Sequence, residues 1–223
     1  MIQSSNYSVE RFGRELEPVI IIDHFSRDLE RLVAVGRRAR YAAAQGYPGI
    51  RSPLDPNYLS AQGALLTEIL SAEFDLSGQI GIESCAFSIV TTPPDALAPS
   101  QRIPHYDGPE PNLIAIVQYT SQRAGGTAFY RHKRTGFEFV NPARVAEYRA
   151  AIGDDDGAFG PPPEGYCYGD SRRYEMIGEI EAKPDRLILY RGRVLHSGVI
   201  SAPPFADAPL ENGRLTVTAF LQG

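Results

Sequence analysis

Cysteine is scarce: Cys85 and Cys167 are the only two in 223 residues. Two thiols make no disulfide framework, and so few of them fit a reducing compartment. Cys85 lies in the apolar run SCAFSIV and reads as a buried strand residue, whereas Cys167 falls in the loop GYCYGD. Long hydrophobic runs are missing as well. PVIII is far too short to span a bilayer, and MIQSSNYSVERFGRELEP at the N-terminus holds no apolar signal core. A soluble, cytoplasmic protein with no membrane partner is expected. Positive charge is in deficit, with 22 Lys and Arg against 27 Asp and Glu and a formal net charge of −5. No nucleic-acid partner is therefore expected. Histidine is rare too, His24, His105, His132 and His196 being the full set.

The remaining composition is that of an ordinary globular protein, 43% hydrophobic and 22% charged, and its length suits one domain over 1–223. With 21 Gly and 18 Pro, many turns and short strands are expected rather than a helix bundle. EPVIIID (Glu17 to Asp23) reads as a buried strand. Ser26 offers an N-cap to a helix over RDLERLVAVGRRARYAAA, and a second helix is predicted from Tyr58 to Phe74. YPGIRSPLDP breaks the chain between them, and ESCAFSIVTT follows as a strand. After residue 100 the texture changes: NLIAIVQYT, GGTAFYR, FEFV, LILY, RVLHSGVI and RLTVTAFL are rich in β-branched and aromatic residues. One helix is expected from Pro142 to Ile152, then a long Gly/Pro/Asp loop from Gly153 to Ser171 whose length suits a lid. The fold class is mainly β (α+β), a sandwich or jelly roll with the N-terminal helices packed outside.

RIPHYDGPEP carries the chemistry. On an extended strand His105 and Asp107 point to one face, so both can reach a single metal ion. Taken alone, the pair equally suits two exposed turn residues. His196, in the apolar strand RVLHSGVI, needs a polar partner and is the candidate third ligand. Two histidines and a carboxylate form the facial set of non-haem Fe(II) oxygenases, which leaves positions open for a chelating co-substrate and O2. Zinc is the rival metal. In GRLTVTAFL, Arg214 and Thr216 share a face with Thr218 and Phe220, while Leu215, Val217, Ala219 and Leu221 form the other. An arginine beside a hydroxyl suits a carboxylate.

His105-Tyr106-Asp107, then Gly125-Gly126-Thr127-Ala128-Phe129, then Pro184-Asp185-Arg186-Leu187-Ile188-Leu189-Tyr190 leading to His196, then Arg214, resemble in this order the 2-oxoglutarate and Fe(II)-dependent oxygenases. The prolyl-hydroxylase-like branch is the most similar. The resemblance implies a double-stranded β-helix (jelly-roll, cupin-like) core over 101–223, supported by a strand and helices in 1–100. It implies Fe(II) on His105, Asp107 and His196, with 2-oxoglutarate chelating the metal and O2 as oxidant. Arg214 and Thr216 would hold the far carboxylate of 2-oxoglutarate, joined by Tyr119. The activity implied is hydroxylation of a C–H of a peptide, amino-acid-like or other small-molecule substrate, with release of succinate and CO2. SAPPFADAPLENG makes the interval from His196 to Arg214 longer than is usual in that branch. Asp107 sets the chain apart from the halogenase variant, in which a small residue replaces the carboxylate. A cupin-like metalloenzyme without 2-oxoglutarate, and a non-catalytic jelly-roll binding module, are the alternatives.

The other charged groups read as solvated. Arg131, His132, Lys133 and Arg134 form an exposed strand end, Asp154 to Asp156 a surface loop, and Arg191 and Arg193 flank a turn at Gly192.

Overall fold

The computed structural model describes residues 7–78, 80–122, 125–200 and 214–223, so the insertion 201–213 lies outside the described residues. Two antiparallel sheets dominate. The larger is built from β1 (Ser8–Arg11), β2 (Pro18–Ile22), β3 (Ala42–Ala43), β4 (Gly49–Pro53), β5 (Gly81–Val90), β6 (Leu113–Tyr119), β9 (Arg186–Arg191) and β11 (Leu215–Gln222). Its order is β1-β2-β9-β6-β11-β5-β4-β3. The smaller contains β7 (Gly126–His132), β8 (Tyr174–Glu181) and β10 (His196–Val199), in the order β10-β7-β8. The helices are α1 (Leu29–Arg38), α2 (Asn57–Ser60), α3 (Gly63–Phe74) and α4 (Val145–Phe159).

Period-two alternation assigns each strand face its layer. In β6, Ile114 and Ile116 face the same core as Leu187 and Leu189 of β9 and Val217 and Ala219 of β11. Leu32 of α1 and Leu66, Ile69 and Leu70 of α3 complete that core, so both helices cover the outside of the large sheet. The opposite face of β6 and β9 (Ala115, Tyr119, Ile188, Tyr190) packs on Phe129 and Ile180 of the small sheet. Beyond it, Ala128, Tyr130 and Tyr174 meet Tyr148 of α4. The order of layers is helix, large sheet, small sheet, helix. β2 and β5, from the first hundred residues, are hydrogen-bonded into the large sheet beside β9 and β11.

Several local expectations need correction. Asp28, not Ser26, caps α1: its side chain accepts from the Arg31 N–H at 2.9 Å. Ser26 instead donates from its hydroxyl to Asp185 at 2.7 Å. α1 ends at Arg38, because Ala42–Ala43 pairs with β4 as a short edge strand. The helix expected from Tyr58 to Phe74 is two helices, interrupted where the Gln62 side chain donates to the Phe25 carbonyl. FEFV contributes only a bridge from Phe139 to Val194. Strand β8 was not anticipated; it forms the edge of the small sheet, where Glu175, Glu179 and Glu181 lie along its length.

The helix expected at 142–152 continues to Phe159, so Asp154, Asp155 and Asp156 are helical rather than in a loop. Asp155 is the reason: it is 1% exposed and accepts from His132 Nε2 at 3.0 Å and Arg134 Nε at 2.6 Å. His132, expected on the surface, is fully buried. Alternation along β7 turns residues 128, 130 and 132 toward α4, which covers that face. Arg131 points the other way and is also buried, held by Glu138 and Glu175. Arg191 and Arg193 do flank a turn, and both pair with Glu17.

Candidate metal centre and its cavity

His105 and His196 are 91 residues apart in sequence, yet their backbones form a two-way bridge. The His105 N–H donates to the His196 carbonyl at 2.9 Å, and the His196 N–H returns the bond at 2.8 Å. The Asp107 N–H donates to the Gly192 carbonyl at 2.7 Å. RIPHYDGPEP is thus stitched onto the segment carrying β10, and the His-x-Asp spacing turns both side chains toward His196. The His105 and His196 rings lie 4.4 Å apart between centroids. His105 Nε2 is 3.8 Å and His196 Nε2 3.6 Å from the Asp107 carboxylate oxygens. One ligand atom from each of the three residues lies within 4.8 Å of the other two. Among the described residues this is the one such cluster of His, Cys, Asp or Glu.

His196 Nδ1 lies 2.8 Å from the Val194 carbonyl. A carbonyl only accepts, so Nδ1 carries the proton and Nε2 presents its lone pair to the cluster. Removal from bulk water pushes the His196 imidazole down to about 4; it lowers the half-exposed His105 as well, where neighbouring His196 and Arg51 add to the effect and Asp107 opposes it. Desolvation raises the Asp107 carboxyl to about 6, against the attraction of His105 and Arg51. The His105 side chain is 53% exposed, Asp107 16% and His196 7%, so the cluster is reached from the His105 side. Two neutral imidazoles and a carboxylate with unshared oxygens suit a divalent cation.

The cluster lines a cavity of about 540 Å³ between the two sheets. Arg214, Thr216 and Thr218 line it from the face of β11 opposite the helix-covered core, as strand alternation predicts. Arg214 donates to the Gly126 carbonyl at 3.1 Å, and the Thr216 hydroxyl to the Ser88 carbonyl at 3.3 Å. Tyr119 is fully buried, and its hydroxyl ends 2.7 Å from Thr127 Oγ1; Thr127 is the residue of this pair on the cavity wall. Gly125 and Gly126 start β7 at φ +77° and +146°, and a Cβ on either would strike the Val199 or Ile180 carbonyl. The GGT turn therefore brings Thr127 and the Arg214-bonded carbonyl close to β10.

Sequence reasoning missed another part of the lining. Gln45, Tyr47, Arg51, Gln101 and Tyr166 all face the same cavity. Arg51 sits in the stretch read only as a chain break. The one available signal was a basic side chain in a short extended run, SPLDP following GIR. Tyr166 comes from the loop after α4, and its hydroxyl donates to the Thr92 carbonyl at 2.7 Å.

Residues 3–221 match the family described as Family of unknown function (DUF6445). The chain belongs to this family. No curated protein matches it. Among solved structures, it is similar to the non-heme alpha ketoglutarate dependent epimerase SnoN from nogalamycin biosynthesis, with a TM-score of 0.50 and 9% identity over 92% of this chain and 78% of that one. It is also similar to HygX from Streptomyces hygroscopicus, solved with nickel, 2-oxoglutarate and hygromycin B (TM-score 0.47, 11% identity, 93% and 84% covered). EctD from S. alaskensis with bound Fe gives a TM-score of 0.48 at 11% identity, covering 93% and 73%. At such identities the likeness to SnoN is one of fold. No helix among the described residues is long and apolar enough to cross a membrane.

Proposed function

We propose that the protein is a 2-oxoglutarate-dependent non-haem Fe(II) dioxygenase with a double-stranded β-helix core, hydroxylating a C–H of a small-molecule or peptide substrate. The observation that supports this most is the His105, Asp107, His196 cluster opening into a cavity that Arg214 also lines. The fold shared with SnoN is consistent with it, and the order of the sequence motifs supports the prolyl-hydroxylase-like branch.

The donor set fits the metal: His196 Nε2 is left free by its Nδ1 bond to Val194, and Asp107 and His105 face it. Arg214 and Thr216, with the Tyr119-backed Thr127 lining the same cavity, would hold the far carboxylate of 2-oxoglutarate. When bound, the metal and 2-oxoglutarate would use O2 to convert a C–H to C–OH, one oxygen atom entering the product and the other the succinate released with CO2. The chain's own part is positioning. The backbone bridge between His105 and His196 fixes the two imidazoles relative to each other. The Asp107 N–H bond to Gly192 sets where the carboxylate points. Ala115, Val117, Tyr190 and Phe220 give the cavity an apolar wall that limits water. The chemistry requires no general acid or base from the protein.

Fe(II) and then 2-oxoglutarate are added anaerobically to metal-free protein while the visible charge-transfer band of the chelate is followed. The band is expected to appear and to be lost in His105→Ala and Arg214→Ala. Iron binding without a band would favour a cupin-like enzyme without 2-oxoglutarate. Binding of neither would favour a jelly-roll binding module.

A further inference from the structure

Among the described residues, the charged lining of the cavity is Arg51, Arg214 and Asp107, two positive charges to one negative, in a protein whose formal net charge is −5. On the proposed reading, a divalent metal and the two carboxylates of 2-oxoglutarate cancel each other. One positive charge then remains facing the space left for substrate.

Arg51 carries it. Its guanidinium stacks over the Tyr47 ring at 4.3 Å. Among the described residues it makes no ion pair and no side-chain hydrogen bond, and its Nε is buried without a partner. The Tyr47 hydroxyl is likewise buried, beside Ser88. The other arginines close to buried surface each have an acid: Arg131 has Glu138, Arg173 has Asp156, and Arg193, whose Nε is also without a partner, has Glu17. A buried guanidinium N–H left without an acceptor costs free energy that a bound anion returns. The position is fixed by the sheet: β4 pairs Arg51 with Ser88 of β5, which pairs with Thr216 of β11. Arg51 therefore stands on the same row as the proposed co-substrate wall, two strands away from it.

We infer that Arg51, backed by Tyr47, is a specificity-determining residue that binds the carboxylate of a small organic acid substrate. This rests on the dioxygenase reading for its chemistry but not for its test. A carboxylate rather than a phosphate monoester matches the single surplus charge, and the tyrosine rings of Tyr47 and Tyr166 offer an apolar surface to the body of the acid.

Binding of a panel of monocarboxylic acids, each with its primary amide, is measured by ligand-observed NMR; phenylacetate and phenylacetamide come first, with phenyl phosphate alongside. The measurement is made on metal-free protein, and again with Fe(II) and saturating 2-oxoglutarate without oxygen. The acids are expected to bind at least about tenfold more tightly than the amides, the worth of one charge-assisted pair. Arg51→Gln should abolish that preference, and Arg51→Lys should restore part of it. The charge-transfer band should still form in Arg51→Gln. No acid preference anywhere in the panel, or one unchanged in Arg51→Gln, overturns the inference. An Arg51-dependent preference for the phosphate overturns the carboxylate assignment. Loss of the band in Arg51→Gln would make Arg51 the co-substrate's anchor instead. Should the wild type show no band, the dioxygenase reading fails, while the acid-against-amide comparison on metal-free protein still decides the role of Arg51.

Discussion

Asp107→Ala separates a metal ligand from a structural carboxylate. Among the described residues the Asp107 carboxylate accepts no hydrogen bond, and the imidazole nitrogens of His196 and His105 lie 3.6 and 3.8 Å from it. Removing it from metal-free protein breaks no bond and unburies little, so the cost is at most about 1 kcal/mol. The metal-bound protein is a different matter. A ligand present at a hundredfold excess over its Kd stabilises the folded chain by about 2.7 kcal/mol. For a domain of about 150–250 residues, each kcal/mol moves Tm by about 2–4 °C. Wild type with excess Fe(II), or Mn(II) as a redox-stable substitute, should therefore melt about 5–11 °C above its metal-free form. Asp107→Ala should melt close to wild type without metal and show almost none of that rise. Calorimetry with and without metal, in chelator-treated buffer, reads both quantities. A full metal-dependent rise in the variant would refute the ligand assignment. A metal-free variant weakened by about 3–5 kcal/mol, the cost of breaking a buried pair, would make Asp107 a structural partner of the two histidines.

Two further outcomes follow from the buried charges. Burial holds His132 below its usual 6.5, against its hydrogen bond to Asp155. Below pH 6.5 the unfolded chain therefore binds more protons than the folded one, and stability falls as the solution is acidified. Burial raises Asp155, but the bonds from Arg134 and His132 prevail and hold it low, so its contribution is present above 3.8 and is lost further into acid. Urea melts at pH 7.5 and 5.5 should show the first loss in wild type and a shallower one in His132→Gln; an equal slope would show that another group titrates. Glu138, 3% exposed, accepts from the backbone N–H groups of Arg14 and Glu15 and from the Arg131 guanidinium. Glu138→Ala leaves Arg131 with Glu175 alone and should cost about 3–5 kcal/mol in a denaturant melt. Glu138→Ala within about 1 kcal/mol of wild type would show that the Arg131 charge is solvated after all.

The strands that could be read from the sequence are those whose two faces meet different surroundings. GRLTVTAFL separates cleanly because Leu215, Val217, Ala219 and Leu221 meet helices and Thr216 and Thr218 meet a polar cavity. YEMIGEIE gives no such signal, because an edge strand needs only part of one face buried and tolerates glutamate elsewhere. The run GDDDGAF argues locally for a loop, since glycine and aspartate are poor helix formers. A tertiary partner decides otherwise: buried Asp155 joins the helix to His132 and Arg134 on β7 and its turn. His132 was misread for the same reason. Its neighbours Arg131, Lys133 and Arg134 are charged, but a strand face is buried or exposed by whatever covers it, and the cover is a helix 13 residues further on.

The metal cluster and the substrate corner differ in legibility for a related reason. His105 and Asp107 are two apart, so strand geometry alone brings them together, and His196 needed only one long-range assumption, which the backbone bridge supplies. Arg51 needed three: that PGIRSP forms a strand, that β4 joins β5, and that β5 joins β11. None of these is written in the residues around Arg51, which read as a proline-bounded break. A triad required by the chemistry of one ion has a fixed spacing and a fixed set of residue types. A residue that selects a substrate has neither, because any arm of the fold that reaches the cavity can carry it. On this reasoning, chains that share the triad should vary at the position of Arg51 according to the charge of what they bind.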